Sequence, residues 1–286
     1  MGYNLRLVLA DQRARITKFN NPTGSLNNTY YVGMRLGEIW GYTTEGLFQN
    51  VEEIRNHANQ NFLRTSSGNN YLPGDVKFKD LNGDGVINNG ENTIDNPGDR
   101  SIIGNSEVRY TYGLNIGLNW NGFSLDAFFQ GIGKRDWWPG TEAGYFWGQY
   151  NRPYGFLPQH TIDNAWSPEN PDAYFPRYRG YLAQNATGTL RVEQTRYLQD
   201  ASYIRLKNLT IGYTIPKGWM ERVKLSQARL FLNAQNLWTY SPMYKVTRNF
   251  DPEVIEGADP EINEKNGNGY RYPMLRSFTF GLDITF

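Results

Sequence analysis

The stretch R-Y-T-Y-G-L-N-I-G-L-N-W, Arg109 to Trp120, alternates two kinds of side chain without a break. Every second residue from Tyr110 onward is aliphatic or aromatic, and the residues between them are polar or glycine. Successive side chains of a β-strand point to opposite faces, so this period predicts a strand with one apolar face. Asn121-Gly122 follows directly, and this dipeptide favours a two-residue hairpin turn.

The hairpin also predicts its own register. A second strand runs from Phe123 to about Ile132. Residues that flank a two-residue turn pair and point the same way, so register and hydrophobic pattern can be checked against each other. The pairs on one face are all apolar: Trp120 with Phe123, Leu118 with Leu125, Ile116 with Ala127 and Leu114 with Phe129. The pairs on the other face are polar or small: Asn119 with Ser124, Gly117 with Asp126 and Gly113 with Gln130.

Other stretches alternate in the same way, namely Tyr3–Leu9, Leu209–Ile215, Leu230–Ala234 (with Phe231 as an exception) and Phe278–Phe286. Between Ser202 and Lys207 the apolar residues alternate out of step with those of the following stretch. This shift predicts a β-bulge, or a stretch that lies above the bilayer if the strands cross a membrane. The chain therefore contains about six strands of membrane-spanning length, fewer than the ~8 strands of the smallest closed barrels.

Two architectures produce this pattern. A soluble sandwich turns its apolar face into a core, whereas a transmembrane barrel turns it to lipid and keeps a polar lumen. Strands of about ten residues span roughly 23 Å when tilted, close to the ~25 Å apolar band of outer-membrane barrels. Aromatic residues near strand ends and the alternation of short turns with long connections also favour the barrel. The alternative is a secreted, calcium-stabilised β-sandwich that binds glycans.

Composition limits the function. The net charge of +1 gives no electrostatic support for nucleic-acid binding, and the absence of cysteine excludes disulfides and zinc–thiolate sites. The sequence opens in a strand pattern with no secretion signal, so we expect an intracellular protein or a piece of a longer chain. The two histidines, His57 and His160, have no neighbouring nucleophile or metal-ligand spacing, and we expect no enzymatic activity.

The segment D-L-N-G-D-G-V-I-N-N-G-E, Asp80 to Glu91, has the spacing of a calcium loop. Gly85 occupies the position where such a loop turns sharply. The flanking sequences lack the helices of an EF-hand, so a structural calcium ion is predicted rather than a sensor. An Asx-rich turn without metal is the alternative. The predicted ligands are Asp80, Asn82, Asp84, the backbone carbonyl of Val86, and Glu91.

Several motifs together resemble the C-terminal part of the SusC/RagA-type TonB-dependent outer-membrane transporters. They are P-G-D-V-K-F-K-D-L-N-G-D-G-V-I-N from Pro73, I-I-G-N from Ile102, W-S-P-E-N-P-D-A-Y-F-P-R from Trp166, D-A-S-Y-I-R-L-K-N-L-T-I-G-Y-T-I-P from Asp200, A-Q-N-L-W-T-Y from Ala234 and F-T-F-G-L-D-I-T-F from Phe278. The resemblance follows the chain in order over nearly its whole length.

The resemblance implies an all-β fold, the C-terminal portion of a transmembrane antiparallel β-barrel with long extracellular loops. Residues 1–286 would be a partial barrel without its plug, with long loop regions at 36–108, 134–201 and 239–276. The full transporter would lie in the outer membrane of a Gram-negative bacterium and import oligosaccharides or peptides. A SusD-like lipoprotein would cap it, and TonB would energise it through an N-terminal part that this sequence lacks. The barrel-assembly machinery would recognise the terminal Phe286.

The second long loop region is rich in aromatic residues, which suit sugar rings or apolar peptide side chains. The candidate ligand-binding residues are Trp137, Trp138, Tyr145, Trp147, Tyr150 and Tyr154. The alternative is that these rings pack the loop against itself or against the capping lipoprotein. Trp166 is predicted to be structural, and Asp251-Pro252-Glu253 is predicted to form a turn at the start of a loop.

Overall fold

A computed structural model describes residues 1–27, 30–63, 70–141, 143–151, 157–179, 188–255 and 271–286. The strands are β1 Gly2–Ala10, β2 Glu38–Tyr42, β3 Thr44–Leu47, β4 Val76–Phe78, β5 Arg100–Asn105, β6 Arg109–Trp120, β7 Phe123–Lys134, β8 Asp136–Trp137, β9 Gln199–Asp200, β10 Tyr203–Thr214, β11 Gln227–Tyr240 and β12 Ser277–Thr285. The short α-helices are α1 Val51–Asn56, α2 Gly144–Trp147, α3 Gln159–Asp163 and α4 Lys217–Met220. Single 3-10 turns lie at Asn61–Leu63, Gly148–Tyr150, Glu221–Val223 and Pro242–Lys245.

Six long strands form one sheet in the order β1-β6-β7-β10-β11-β12. Every pairing in this sheet is antiparallel, so the predicted all-β class is confirmed. The β6–β7 hairpin has the predicted register, with Trp120 opposite Phe123 and Leu114 opposite Phe129. Asn121 and Gly122 have φ angles of 48° and 84°, the positive values that a type I′ hairpin turn requires.

The predicted bulge is present in β10. Leu206 lies opposite Phe129, but Asn208 lies opposite Phe128, so β10 holds one extra residue at Lys207 relative to β7. Because side chains alternate with a period of two, this extra residue reverses the phase of the strand beyond it. Leu206 therefore joins the apolar face, and Arg205 turns to the polar face.

The apolar face has aliphatic residues in the middle and Trp and Tyr at its ends. The middle row contains Leu5, Ile116, Ala127, Leu209 and Ala234, which lie opposite one another on successive strands, and it ends in Phe278 on the edge strand β12. Trp120 and Tyr213 lie near one end of the strands, and Trp238 and Tyr240 lie near the other. Two aromatic bands that flank an aliphatic band match the girdles of membrane barrels.

The hydrophobic core lies outside this sheet, in the long connections between the strands. Side chains from all three predicted loop regions pack into one cluster that includes Tyr42, Phe78, Trp147, Tyr197 and Phe250. The apolar face of the sheet is open by comparison, with Leu5, Phe280 and Leu232 exposed by 69%, 71% and 46%. A soluble sandwich buries that face, so this distribution argues against the sandwich alternative.

Over the part of the chain that the structure describes, no helix has both the length and the apolar character needed to cross a membrane.

Candidate functional site

Short strand pairs lie within the first two loop regions and hold each of them together. β2 pairs with β5, β3 with β4, and β8 with β9, all antiparallel. The Tyr42 amide donates to the carbonyl of Glu193 at 2.9 Å, which joins the first loop region to the second. The loops therefore form a hydrogen-bonded assembly with its own core.

Phe175 lies at the centre of the aromatic packing in this assembly. Its ring stacks between Tyr150 and Tyr197, with centroids 5.5 and 5.7 Å away and interplanar angles of 19° and 14°. Trp147 meets Tyr197 edge-on at 5.3 Å. Phe250, from the third loop region, lies 4.9 Å from Trp137. Such tilted, edge-on and offset contacts add stability beyond the area that the rings bury.

The structure buries most of the predicted ligand-binding residues that it describes. Trp137, Trp138, Trp147 and Tyr150 are exposed by 3% or less. The Trp147 indole donates to the carbonyls of Pro139 and Gly140 at 3.1 and 3.0 Å, and the Tyr150 hydroxyl donates to the Pro176 carbonyl at 2.6 Å.

The same burial has an electrostatic consequence, because desolvation raises the pKa of Tyr150 well above its ordinary value. In this structure the four buried rings have no open face for a ligand, and their contacts are those of the loop-packing alternative. Tyr145 differs from them because it is 47% exposed. Tyr154 lies outside the described residues. Ligand contact therefore stays a prediction.

His160, on α3, borders the same core. Its ring packs near Phe146 and Phe175, with centroid distances of 6.5 and 5.8 Å. Its Nε2 lies 3.1 Å from the Phe146 carbonyl, so the neutral Nε2–H tautomer donates there. Burial lowers the pKa of His160 below 6.5, and the hydrogen bond to the Phe146 carbonyl opposes that shift.

The predicted calcium loop is a series of Asx turns. Asp80 accepts hydrogen bonds from the amides of Gly83 and Gly85 at 2.7 and 2.9 Å, and Asp84 accepts one from the Val86 amide at 2.8 Å. These amides, Gly85 first, hold the pKa of Asp80 below its ordinary value. Gly85 has a φ of 81°, so the predicted sharp turn is present. No helix flanks the segment among the described residues.

The predicted donor set of this loop is of the hard-oxygen kind that calcium takes, with carboxylates at Asp80, Asp84 and Glu91, an amide oxygen at Asn82 and the Val86 carbonyl. Within the described ranges, no group of three or more His, Cys, Asp or Glu side chains is arranged to hold a metal ion. The chemistry of the residues fits the ion, and calcium binding stays a prediction.

No sequence pattern pointed to Asp99, whose carboxylate accepts hydrogen bonds from two separate amides of the loop. Its side chain is fully buried. One carboxylate oxygen accepts from the Leu81 amide and the other from the Asn88 amide, both at 2.8 Å. Asp99 lies 18 residues from Leu81, so no local spacing rule includes it. It shapes the loop from outside the Asp80–Glu91 motif.

No family model matches the chain. Among curated proteins, it is similar to three TonB-dependent receptors of Formosa agariphila. Receptor P3 is 31% identical over 265 residues, 89% of this chain and 22% of the receptor. Receptors P26 and P39 are each 27% identical, over 92% and 89% of this chain. The chain spans about a fifth to a quarter of the length of these relatives.

Solved structures share the fold over nearly the whole chain. The structure of the RagAB peptide transporter aligns with a TM-score of 0.59 and 19% identity, covering 99% of this chain and 27% of the transporter chain. The open-open state of the RagAB peptide importer aligns with a TM-score of 0.58 and 20% identity, with the same coverage. The predicted fold class, a portion of an antiparallel β-barrel, is confirmed. The chain is therefore similar to a segment of the TonB-dependent receptors, which supports the predicted resemblance to the SusC/RagA type.

Proposed function

We propose that this segment forms part of the barrel wall and the extracellular loops of an outer-membrane nutrient importer in a Gram-negative bacterium. One observation carries the proposal: the sheet leaves its apolar face exposed while the loops bury a large core. A face with aliphatic residues between aromatic bands suits a lipid bilayer. The polar face, which carries Asn233, Thr210 and Asp126 on adjacent strands, would then line the lumen.

The nutrient class is oligosaccharides or peptides, as the sequence resemblance implies. The RagAB neighbours are a peptide transporter and a peptide importer, and at 19–20% identity they share only the fold with this chain. Residues 1–286 would contribute a partial barrel, with loops at 36–108, 134–201 and 239–276. Tyr145 is the exposed aromatic residue of the candidate set that the structure describes, and we propose it as a contact for substrate or partner.

The proposed partners follow from the same resemblance. A SusD-like lipoprotein would sit on the loop assembly, and TonB would energise transport. The barrel-assembly machinery would recognise Phe286, which is 89% exposed. Copurification of the full receptor from outer membranes tests the lipoprotein: a stable complex with a SusD-like protein supports it, and a receptor that always purifies alone argues against it.

Calcium is proposed as a structural ion in the Asp80–Glu91 loop. Trypsin digestion of the receptor with and without chelator tests it, with cleavage monitored between residues 75 and 105. Calcium should slow cleavage there in the native protein and have no effect in Asp84→Ala. Equal cleavage rates with calcium and with chelator would remove the metal from the proposal.

Membrane location is tested by fractionating cells of the source organism with an antibody to this segment. Recovery in the outer membrane, in a band larger than 32.9 kDa, supports the importer. Recovery in a soluble fraction near 32.9 kDa would overturn it and favour the calcium-stabilised glycan binder. A deletion strain then tests uptake, with growth compared on oligosaccharides and on peptides as sole nutrients.

A further inference from the structure

Arg205 is a buried cation on the polar face of the sheet, with its residue exposed by only 2%. Each of its guanidinium nitrogens has a partner. Nε donates to the Thr239 hydroxyl at 2.7 Å, Nη1 to Glu253 at 2.5 Å and Nη2 to Asp251 at 2.5 Å. The planar fork of arginine suits such directed, simultaneous bonding, and here it leaves no donor nitrogen unbonded.

The two carboxylates belong to the connection between β11 and β12. Asp251 also accepts a hydrogen bond from the amide of Met274 at 2.9 Å, 23 residues further along the chain. Asp251 therefore joins the start of this connection to its end at Met274. We call the segment Phe250–Ile255 the loop neck. Through Arg205, the loop neck is attached to strand β10.

The network is balanced in charge. Lys207, at the bulge, donates to the second oxygen of Glu253 at 2.5 Å, so two cations face two carboxylates. The side chains of Arg205 and Asp251 are exposed by only 3% and 7%. Ion pairs this far from water stay favourable only when their hydrogen bonds are well made, and removing one partner leaves an uncompensated charge.

The loop neck also enters the aromatic core of the loop assembly. Phe250 precedes Asp251 directly and packs against Trp137. Ile255, just after Glu253, is exposed by 3% and lies in the same core. The ion-pair network is thus where the barrel wall, the loop neck and the loop core meet.

We propose that Arg205 is a positioning residue: with Asp251 and Glu253 it clasps the loop neck to the lumen-facing wall and so fixes the loop assembly over the barrel mouth. This role is separate from the transport of a substrate. It rests on the proposed function only because the polar face is taken to line the lumen. A cation on a lumen wall would otherwise be a candidate for binding anionic substrate. Here each of its three nitrogens is bonded to the protein itself.

The test uses the full receptor chain, purified from outer membranes, with trypsin cleavage at Arg248 and Arg271 quantified by mass spectrometry. Arg205→Gln should raise cleavage at these sites by about tenfold or more, because the neck loses its attachment to the wall. Arg205→Lys, which keeps the charge but not the fork, should give an intermediate rate. Arg229→Gln is the matched control. Arg229 also lies on the polar face, but its partner Asp283 is 3.8 Å away and its side chain is 62% exposed.

A second variant separates positioning from charge balance. Arg205→Gln with Asp251→Asn removes one charge of each sign and retains the Lys207–Glu253 pair. If Arg205 positions the loop, the thermal stability of the barrel should recover in this double variant while cleavage at Arg248 and Arg271 stays fast. Cleavage at the native rate in the double variant, or in Arg205→Gln alone, would overturn the clasp. If the receptor is absent from the outer membrane, the importer proposal fails, and the same digestion of the purified protein still decides the clasp.

Discussion

Leu206 on β10 lies directly opposite Phe129 on β7, although Leu206 has the opposite parity to Leu209, Ile211 and Tyr213 on the same face. The extra residue at Lys207 makes this possible, because it shifts the register by one between Leu206 and Asn208. The apolar face therefore continues to the end of the strand. On the other face, Arg205 lies opposite Thr239 of β11, which holds one extra residue relative to β10 between Gln235 and Trp238.

If the apolar face meets lipid, adjacent positions on β10 should respond in opposite ways to a new charge. Leu209→Arg places a cation in the middle aliphatic row and should cost roughly 2–4 kcal/mol, enough to reduce assembly in the outer membrane. Thr210→Arg is the control, because Thr210 lies opposite Asp126 on the polar face. Heat-modifiable electrophoretic mobility of the membrane fraction measures assembly, and equal tolerance of both variants would contradict a lipid-facing sheet.

Gly74 should not tolerate a side chain. Its φ is 89°, and a Cβ would lie 2.3 Å from the Trp166 ring. Gly74→Ala should therefore lower stability by more than the ~1 kcal/mol that backbone strain alone costs, and trypsin should cut the loops faster. Gly33→Ala isolates the strain, since Gly33 has a φ of 93° with open space around it. A similar loss in both variants would mean that Trp166 can move aside freely.

Asp99→Asn should loosen the calcium loop without changing any residue of the motif. The amide side chain has one acceptor oxygen, so the amide of Leu81 or of Asn88 loses its buried partner. We expect a loss of about 1–3 kcal/mol, with faster hydrogen exchange at those two amides. Asp95→Asn, at an exposed acid in the following turn, should be neutral. If hydrogen exchange at these amides is unchanged in Asp99→Asn, Asp99 does not hold the loop in place.

The loop core should weaken in acid because of His160. Its pKa is lower in the folded protein than the ordinary 6.5, so unfolding takes up a proton in acid solution. The contribution of neutral His160 is fully present above pH 6.5 and is lost as the pH falls toward the folded pKa, by at most about 1.4 kcal/mol per pH unit.

Urea midpoints monitored by tryptophan fluorescence, measured at pH 7.5 and 5.5, test this effect. His160→Gln keeps a donor for the Phe146 carbonyl but cannot take up the proton, so its pH-dependent loss should be smaller than in the native protein. Equal pH dependence in the native protein and in His160→Gln would assign the effect to other groups.

Local sequence patterns were enough to predict the strands, the β6–β7 hairpin and the bulge in β10. Alternation in Arg109–Trp120 and the Asn-Gly turn specified both the faces and the register of the hairpin, because strand period and turn length are local properties. The phase shift near Leu206 likewise indicated a bulge, since parity is read directly from the chain. The spacing of the Asp80–Glu91 motif was sufficient to place the sharp turn at Gly85.

The role of the loops depended on contacts between distant parts of the chain. The aromatic residues from Trp137 onward suited either an open binding surface or a packed core, and Phe175 and Tyr197 settled their burial from distant parts of the chain. Asp99 and the Arg205 clasp were equally hidden, because their partners lie 11 to 48 residues away. Hydrogen bonds and ion pairs between such distant residues carry no periodic signal. They exist only once folding has brought their atoms within bonding distance.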